Sequence, residues 1–411
     1  MRIELAETFG CSFSDRICAM QRRVLALSIV LISLAAPARA DFQSCLRGLQ
    51  HLAQDKGVSA KTIARATQNL TFDSDAITAE QTQPEFSTPI WDYIASLVDD
   101  QRVADGREAM HQWHRWLSVA EEKYGVSAAI VAAIWGVESD YGKGFGNHPI
   151  VRSLASLSCA GGRERYFRTE FVAALKILDA GDVDPAQFNG SWAGAFGHTQ
   201  FMPTTFLRTA VDLDGDGRRD LIGSVPDALG STANYLREHG WTANEPWGLE
   251  VKLPSNYSGP SGRRDKRSVE FWRARGLTHV DGSPLHGDGR LGLFLPAGPQ
   301  GPAFLVTHNF DVLYSYNSAD SYALAIALLA DRLRGGAALA AAWPTNDPGL
   351  SRLERRELQV LLVKHGYDLD GKIDGVMGNK TRAAIADFQT KHGMTPDGRA
   401  CVSVLAALRT H

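Results

Sequence analysis

Cysteine is scarce in this chain: there are five in 411 residues. No two of them stand at the short spacing of a zinc or iron–sulfur ligand set, so a cysteine-built metal centre is excluded. Long apolar runs are also missing. None reaches the roughly eighteen residues that a membrane-spanning helix needs. Blocks of one charge sign are absent too. Lys and Arg number 43 against 46 Asp and Glu, a formal net charge of −3. No basic stripe exists to organise phosphate contacts, so nucleic acid is not an expected partner. Otherwise the composition, 44% hydrophobic and 22% charged, is that of a globular protein long enough for two or three domains.

The first forty residues read as a targeting segment. Gln21, Arg22 and Arg23 form a short basic region, and residues 24–36 are an apolar run of signal-peptide length. Pro37 breaks the run, and Ala38-Arg39-Ala40 offers a small-x-small cleavage site ahead of Asp41. Met20 is an alternative start, because residues 1–19 are more polar than a signal. No lipid-anchor cysteine follows the cut. The expectation is an exported, periplasmic protein with no membrane anchor.

From residue 41 the chain reads as helical. Apolar residues recur at helical spacing over 45–53, 58–68, 90–98 and 102–122, then 124–139, 151–157 and 166–178. Pro203 opens a short helix, and 227–239 forms another, stopped by Gly240. Short strand-like runs follow at 249–253, 291–295 and 303–307, separated by Gly and Pro turns. Residues 318–334 return to helix. By composition 336–349 is a linker, and 350–411 is a separate unit. The fold class is therefore mainly α (α+β): a helical body at 41–335 with a small inserted β subdomain, and a small C-terminal domain at 350–411 with helical spacing over 352–365 and 380–392.

The chain is organised around YGVSAAIVAAIWGVESDYG, residues 124–142. A helix apolar most of the way round belongs in a core. This one ends in Glu138. A carboxylate at the wall of a core is partly desolvated, which raises its pKa towards the range of a general acid. Asp140, two residues on, points well away along a helix and is expected to make a structural hydrogen bond.

Two further stretches carry signal: GSWAGAFGHTQFMPTTF at 190–206 and SYNSADSYALAI at 315–326. Together the three resemble the lytic transglycosylases of peptidoglycan, specifically the membrane-bound lytic transglycosylase B family. The resemblance covers roughly residues 41–335. It implies a goose-lysozyme-like helical fold with a deep groove for glycan strands. It also implies a reaction in which one glutamate, here Glu138, serves as acid and then base. The substrate's acetamido group takes the place of a second carboxylate, and a 1,6-anhydro end forms without water. No cofactor is required.

By the same resemblance Ser191 and Gln200 line the groove near the glutamate. Tyr316 and Asn317 approach from the far side, with Tyr322 and Tyr235 as aromatic walls suited to sugar faces. Tyr93 and Arg163 are further contacts, although the residue before Arg163 is Gly162 where the family often has a second arginine. His198 lies inside the motif but outside the catalytic set.

VDLDGDGRRD at 211–220 matches the first half of an EF-hand loop, with Asp212, Asp214, Asp216 and Gly217 at the ligand and turn positions. The usual last ligand position holds Gly223. Related transglycosylases place an Asp slightly later, so the resemblance implies Asp227 as the missing ligand of a structural calcium, with Asp220 adding an oxygen through water; the alternative is an ion-free Asp/Gly turn. DLDGKIDG at 368–375 reads as a turn, since Lys372 occupies a ligand position. Three cysteines remain beyond the targeting segment. Cys45 and Cys159 are the expected disulfide because both fall in the catalytic body; three buried thiols are the alternative.

Residues 358–398 carry LQ, GY, DGxxG, TRAAI and FQ and resemble the peptidoglycan-binding domain type 1, which implies a small three-helix C-terminal domain. Such a module raises the local substrate concentration of a linked enzyme. The reading is a glycan-strand-cleaving enzyme whose partner is peptidoglycan. A hydrolytic muramidase and a non-cutting wall-binding scaffold are the alternatives.

Overall fold

The computed structural model of the chain describes residues 35–81 and 88–410. The expected targeting segment, residues 1–40 with Cys11, Cys18 and Met20, lies almost wholly outside the described residues. Among these residues no helix is long and apolar enough to cross a membrane.

The helix Ala128–Ser139 forms the centre of the body. Ile130, Val131, Ala132, Ala133, Ile134 and Trp135 are all buried. Each large side chain among them contributes about 1.5–3 kcal/mol of hydrophobic stabilisation. The helices Asp100–Gln112, His114–Tyr124, Val225–Glu238 and Asp320–Leu333 pack around it. One helix was expected over 102–122; the chain forms two. Trp113 leaves helical geometry at φ −105° and ψ 17°, and its N–H closes the first helix on Ala109. Both halves touch Ala128–Ser139, and the break lets each serve a further partner of its own. Asp100–Gln112 packs on Ala128–Ser139 and Asp320–Leu333, and His114–Tyr124 packs on Val225–Glu238.

A second group of helices holds the N-terminal side. Ala35–Asp55, Ile150–Ala160 and Glu164–Ala180 pack together, and a disulfide joins Cys45 to Cys159 across 114 residues of sequence. Cys401 is free and buried.

The β subdomain is a five-stranded antiparallel sheet in the order Arg267–Ser268, Arg290–Phe294, Ala303–Val306, Gly248–Lys252, Thr278–His279. It has its own core, built on Trp272, Leu293 and Leu305. Arg263 fastens it to the body by pairing with Asp311 and Asp320.

Residues 336–349 are not a loose tether. Glu250 accepts from the N–H groups of Ala340 and Ala341, both at 2.9 Å, and Leu339 and Trp343 pack on the main core. The C-terminal unit holds the helices Arg352–Lys364, Asn379–Lys391 and Val402–Thr410 around Leu358, Ile385, Phe388 and Leu405.

Candidate active site

Glu138 occupies the last turn of the apolar helix. It keeps partial solvent contact, so a ligand can reach it, yet surrounding protein desolvates the carboxyl and pushes its pKa up to about 7. One bond opposes that rise: the Tyr322 hydroxyl donates to Glu138 Oε1 at 2.6 Å. Burial, with the Glu138 charge added to it, holds Tyr322 well above the usual phenol range, so it stays a donor.

Three stretches distant in sequence are knitted together here. Ser139 Oγ donates to the His198 carbonyl at 2.7 Å, and Trp135 Nε1 donates to His198 Nδ1 at 3.0 Å. An indole N–H only donates, so His198 Nδ1 is the acceptor and the neutral ring carries its proton on Nε2. Burial pushes this imidazole down to about 4, which keeps it neutral. Its role is to fasten the loop to the helix. Tyr316 ties the third stretch in: its hydroxyl donates to the Thr199 carbonyl at 2.9 Å, and its ring stacks on Tyr322 at 5.9 Å between centroids.

The loop between these anchors is held tightly. Glu170 accepts from Thr204 N at 2.9 Å and Thr204 Oγ1 at 2.7 Å, pinning the first turn of the helix Pro203–Thr209. Gly197 has φ +74°, and a Cβ there would come within 2.4 Å of the Leu221 carbonyl oxygen. Only glycine fits that approach. Gln200 donates both amide hydrogens, to Phe145 O at 3.1 Å and Gly197 O at 2.9 Å, which turns Oε1 into its remaining polar atom. Ser191 Oγ accepts from Ala195 N at 3.0 Å. The loop after Glu138 runs against Ser191, since a Cβ on Gly146 would meet Ser191 N at 2.9 Å.

Backbone strain concentrates in the same place. Eight described non-glycine residues have positive φ, and four of them, Asp140, Tyr141, Gln200 and Ser318, fall in the three stretches. Such residues persist where surrounding contacts over-determine them, and they gather at functional sites.

Other expected positions divide. Asn317 is exposed at the end of the helix His308–Asn317, beside this cluster. Tyr93 is half-buried on the helix Ile90–Leu97, close enough to Tyr322 to influence its proton. Tyr235 departs from expectation. It is 7% exposed, its hydroxyl donates to the Ser315 carbonyl, and its ring stacks on His239 at 3.8 Å. His239 covers one face and the ring as a whole is buried, so it supports the site from behind and is not an open wall. Tyr322, 1% exposed, likewise offers its hydroxyl and not its face. Arg163 pairs with Glu80 at 3.5 Å and lies over Tyr166 and Phe167. No described contact joins it to Glu138. The partnership of Tyr322 with the carboxyl was not readable in sequence, where the two lie 184 residues apart.

Asp140 is tied up elsewhere. It pairs with Arg352 and lies 3.6 Å from Arg102. The causes acting on Glu138 include no neighbouring carboxylate.

Of the five aspartates expected to bind calcium, three converge. Carboxylate oxygens of Asp212, Asp214 and Asp227 lie within 4.8 Å of one another. Burial, with the Asp214 charge adding to it, pushes Asp227 up to about 6. Asp216 and Asp220 spend oxygens on local turns: Asp216 accepts from Arg218 N, and Asp220 from Ile222 N and Gly223 N. Both stand outside the cluster.

Comparison with known proteins follows this geometry. Residues 41–331 match the transglycosylase SLT domain family, and residues 351–408 match the peptidoglycan binding domain family. The chain is similar to membrane-bound lytic murein transglycosylase B of Escherichia coli K12, 32% identical over 260 residues, 62% of this chain and 70% of that protein. A solved structure of SltB3 from Pseudomonas aeruginosa, in complex with NAG-anhNAM-pentapeptide, is 42% identical. It covers 90% of this chain and 99% of its own, with a TM-score of 0.72. The Escherichia coli lytic transglycosylase Slt35 in complex with calcium is 27% identical, covers 72% of this chain and 93% of its own, and has a TM-score of 0.62.

Proposed function

The chain belongs to the transglycosylase SLT domain family and is a lytic transglycosylase of peptidoglycan; from that premise we propose how it cuts. Glu138 is the general acid and then the general base. Its proton goes to the glycosidic oxygen as the MurNAc C1–O bond breaks. The acetamido carbonyl oxygen of the same sugar closes on C1 and holds the positive charge. The Glu138 carboxylate then takes the proton of the sugar's 6-hydroxyl. That oxygen displaces the acetamido group, which leaves a 1,6-anhydro-MurNAc end and a reprotonated Glu138. No water is consumed.

The observation that carries this reading is a single desolvated carboxyl, near pKa 7, with a phenol as its partner. A group with that pKa is competent both to give and to take a proton near neutrality. An inverting hydrolase would need a second carboxylate about 6.5–9.5 Å away. The adjacent candidate, Asp140, is committed to arginines. Gln200 Oε1 and the Ser191 hydroxyl are the proposed holders of the acetamido group, with Tyr316, Asn317 and Tyr93 along the groove. The ligand-bound SltB3 relative supports peptidoglycan strands as the partner and the cell envelope as the place of action. We assign the protein to the periplasm.

Asp212, Asp214 and Asp227 are the proposed calcium ligands. Three hard carboxylate oxygens at close quarters fit that ion; the raised pKa of Asp227 comes chiefly from burial and only in smaller part from the Asp214 charge. The ion would brace the loop that leads from the motif to the helix Val225–Glu238, away from the chemistry.

The test is to digest purified sacculi and weigh the products. Anhydro-muropeptides are expected. Products heavier by one water would instead mean hydrolysis. Glu138→Gln is expected to abolish release while binding to sacculi persists; an active variant would remove Glu138 from its role.

A further inference from the structure

We propose that Arg352, in the C-terminal module, is a positioning residue for the catalytic carboxyl. The proposal rests on Glu138 being the acid. The module is docked on the catalytic body at two places, each beside a site residue. Arg399 grips Asp92, the neighbour of Tyr93, through Nε at 2.6 Å and an η nitrogen at 2.9 Å. Asp92 is buried, and a Cβ on Gly349 would meet its Cα at 2.6 Å, so backbone and helix are in close contact there.

At the second place Arg352 is the first residue of the helix Arg352–Lys364, set by the capping box of Ser351 and Glu354. Its guanidinium forks between Asp105, at 3.0 Å, and Asp140. The side chain is 8% exposed, so this ion pair is not a surface one. Asp140 is two residues beyond Glu138 and begins the turn that ends its helix. Asp140 and Tyr141 both adopt left-handed backbone, at φ 52° and 58°. Two consecutive residues of that kind are strained and need outside contacts to persist.

Those contacts can be named. Tyr141 donates to the Arg102 carbonyl at 3.1 Å, and Arg102 in turn donates to the Gly136 carbonyl in the last turn of the helix. The Asp140 carboxylate is held by Arg102 from the body and by Arg352 from the module. Asp105, which shares Arg352, is also held by Lys143 at 2.8 Å, one residue past the Tyr141–Gly142 pair. The module therefore closes a charge network around the turn that aims Glu138. A shift of about 1 Å in such a group lowers the rate of a reaction by up to about a hundredfold.

The test uses full-length variants on soluble peptide-free glycan strands, where wall binding does not limit the rate, and on sacculi. Arg352→Ala is expected to lower kcat about tenfold or more, with KM and retention on sacculi unchanged. Its alkaline limb should move to lower pH as water reaches Glu138. Arg352→Lys should recover part of kcat, because an ammonium can hold one carboxylate but not fork between two. Arg409→Ala, which removes an exposed ion pair to Glu357 within the module, should match wild type. Wild-type kcat and pH profile in Arg352→Ala would overturn the proposal. A loss confined to KM or to sacculus retention would overturn it as well, as would an equal loss in Arg409→Ala. If Arg352→Ala does not fold, Asp140→Asn decides by the same readouts. Full activity in Glu138→Gln would instead overturn the proposed mechanism and identify which of the two readings had failed.

Discussion

At the scale of single residues the site depends on one bond between a desolvated carboxyl and a buried phenol. Tyr322 lowers a pKa that burial raises. Tyr322→Phe removes that opposition, so the Glu138 pKa rises above about 7. In the proposed mechanism the acid must be protonated to act, so the alkaline limb of kcat/KM is expected to move to higher pH. Loss of a charge-assisted bond of about 1.5–3 kcal/mol should lower kcat roughly tenfold. Rates of glycan release across about pH 5–9 check this; an unmoved limb would detach Tyr322 from the carboxyl. Glu138 itself was legible in sequence, because an apolar helix ending in a carboxylate states its own desolvation. Tyr235, expected as a wall, lies buried against His239 instead; a tyrosine's ring faces depend on what packs on them, and no local pattern records that.

At the scale of elements, helical periodicity identified most of the long helices to within a few residues, but it caught only the later part of Ala35–Asp55 and missed both the helix His308–Asn317 and the break at Trp113. Neither Gly nor Pro marks that break; the two halves diverge because they pack on different neighbours. The two-residue edge strands Arg267–Ser268 and Thr278–His279 are too short to show a period, and only their pairing defines them. The acidic loop is the element with a separate prediction. Calcium in hundredfold excess over its Kd stabilises a protein by about 2.7 kcal/mol. Calorimetry of chelator-treated protein with and without calcium should therefore show a midpoint shift of several degrees. Asp214→Asn should abolish the shift without altering kcat. No shift in the wild type would leave the loop an ion-free turn.

At the scale of the whole molecule, three links hold distant parts together: the Cys45–Cys159 disulfide, the segment 336–349 bound to Glu250, and the ion pairs of Arg352 and Arg399. Closing a loop of this size with a disulfide contributes roughly 3–5 kcal/mol, mostly through the unfolded chain. Cys45→Ser with Cys159→Ser should lower the thermal midpoint by roughly ten degrees and leave the product masses unchanged; an unchanged midpoint would show that helix packing alone holds the N-terminal side. The sequence by itself determined the helical class, the order of body and module, and the carboxylate that ends the central helix. Those features follow from local composition and periodicity, which every segment carries with it. Only the tertiary structure decided which phenol meets Glu138, which aspartates of the acidic loop converge, and that the module grips the turn behind the helix that carries Glu138. Each is a contact between groups far apart in sequence, and its geometry exists only once the packing of the intervening helices has brought them together.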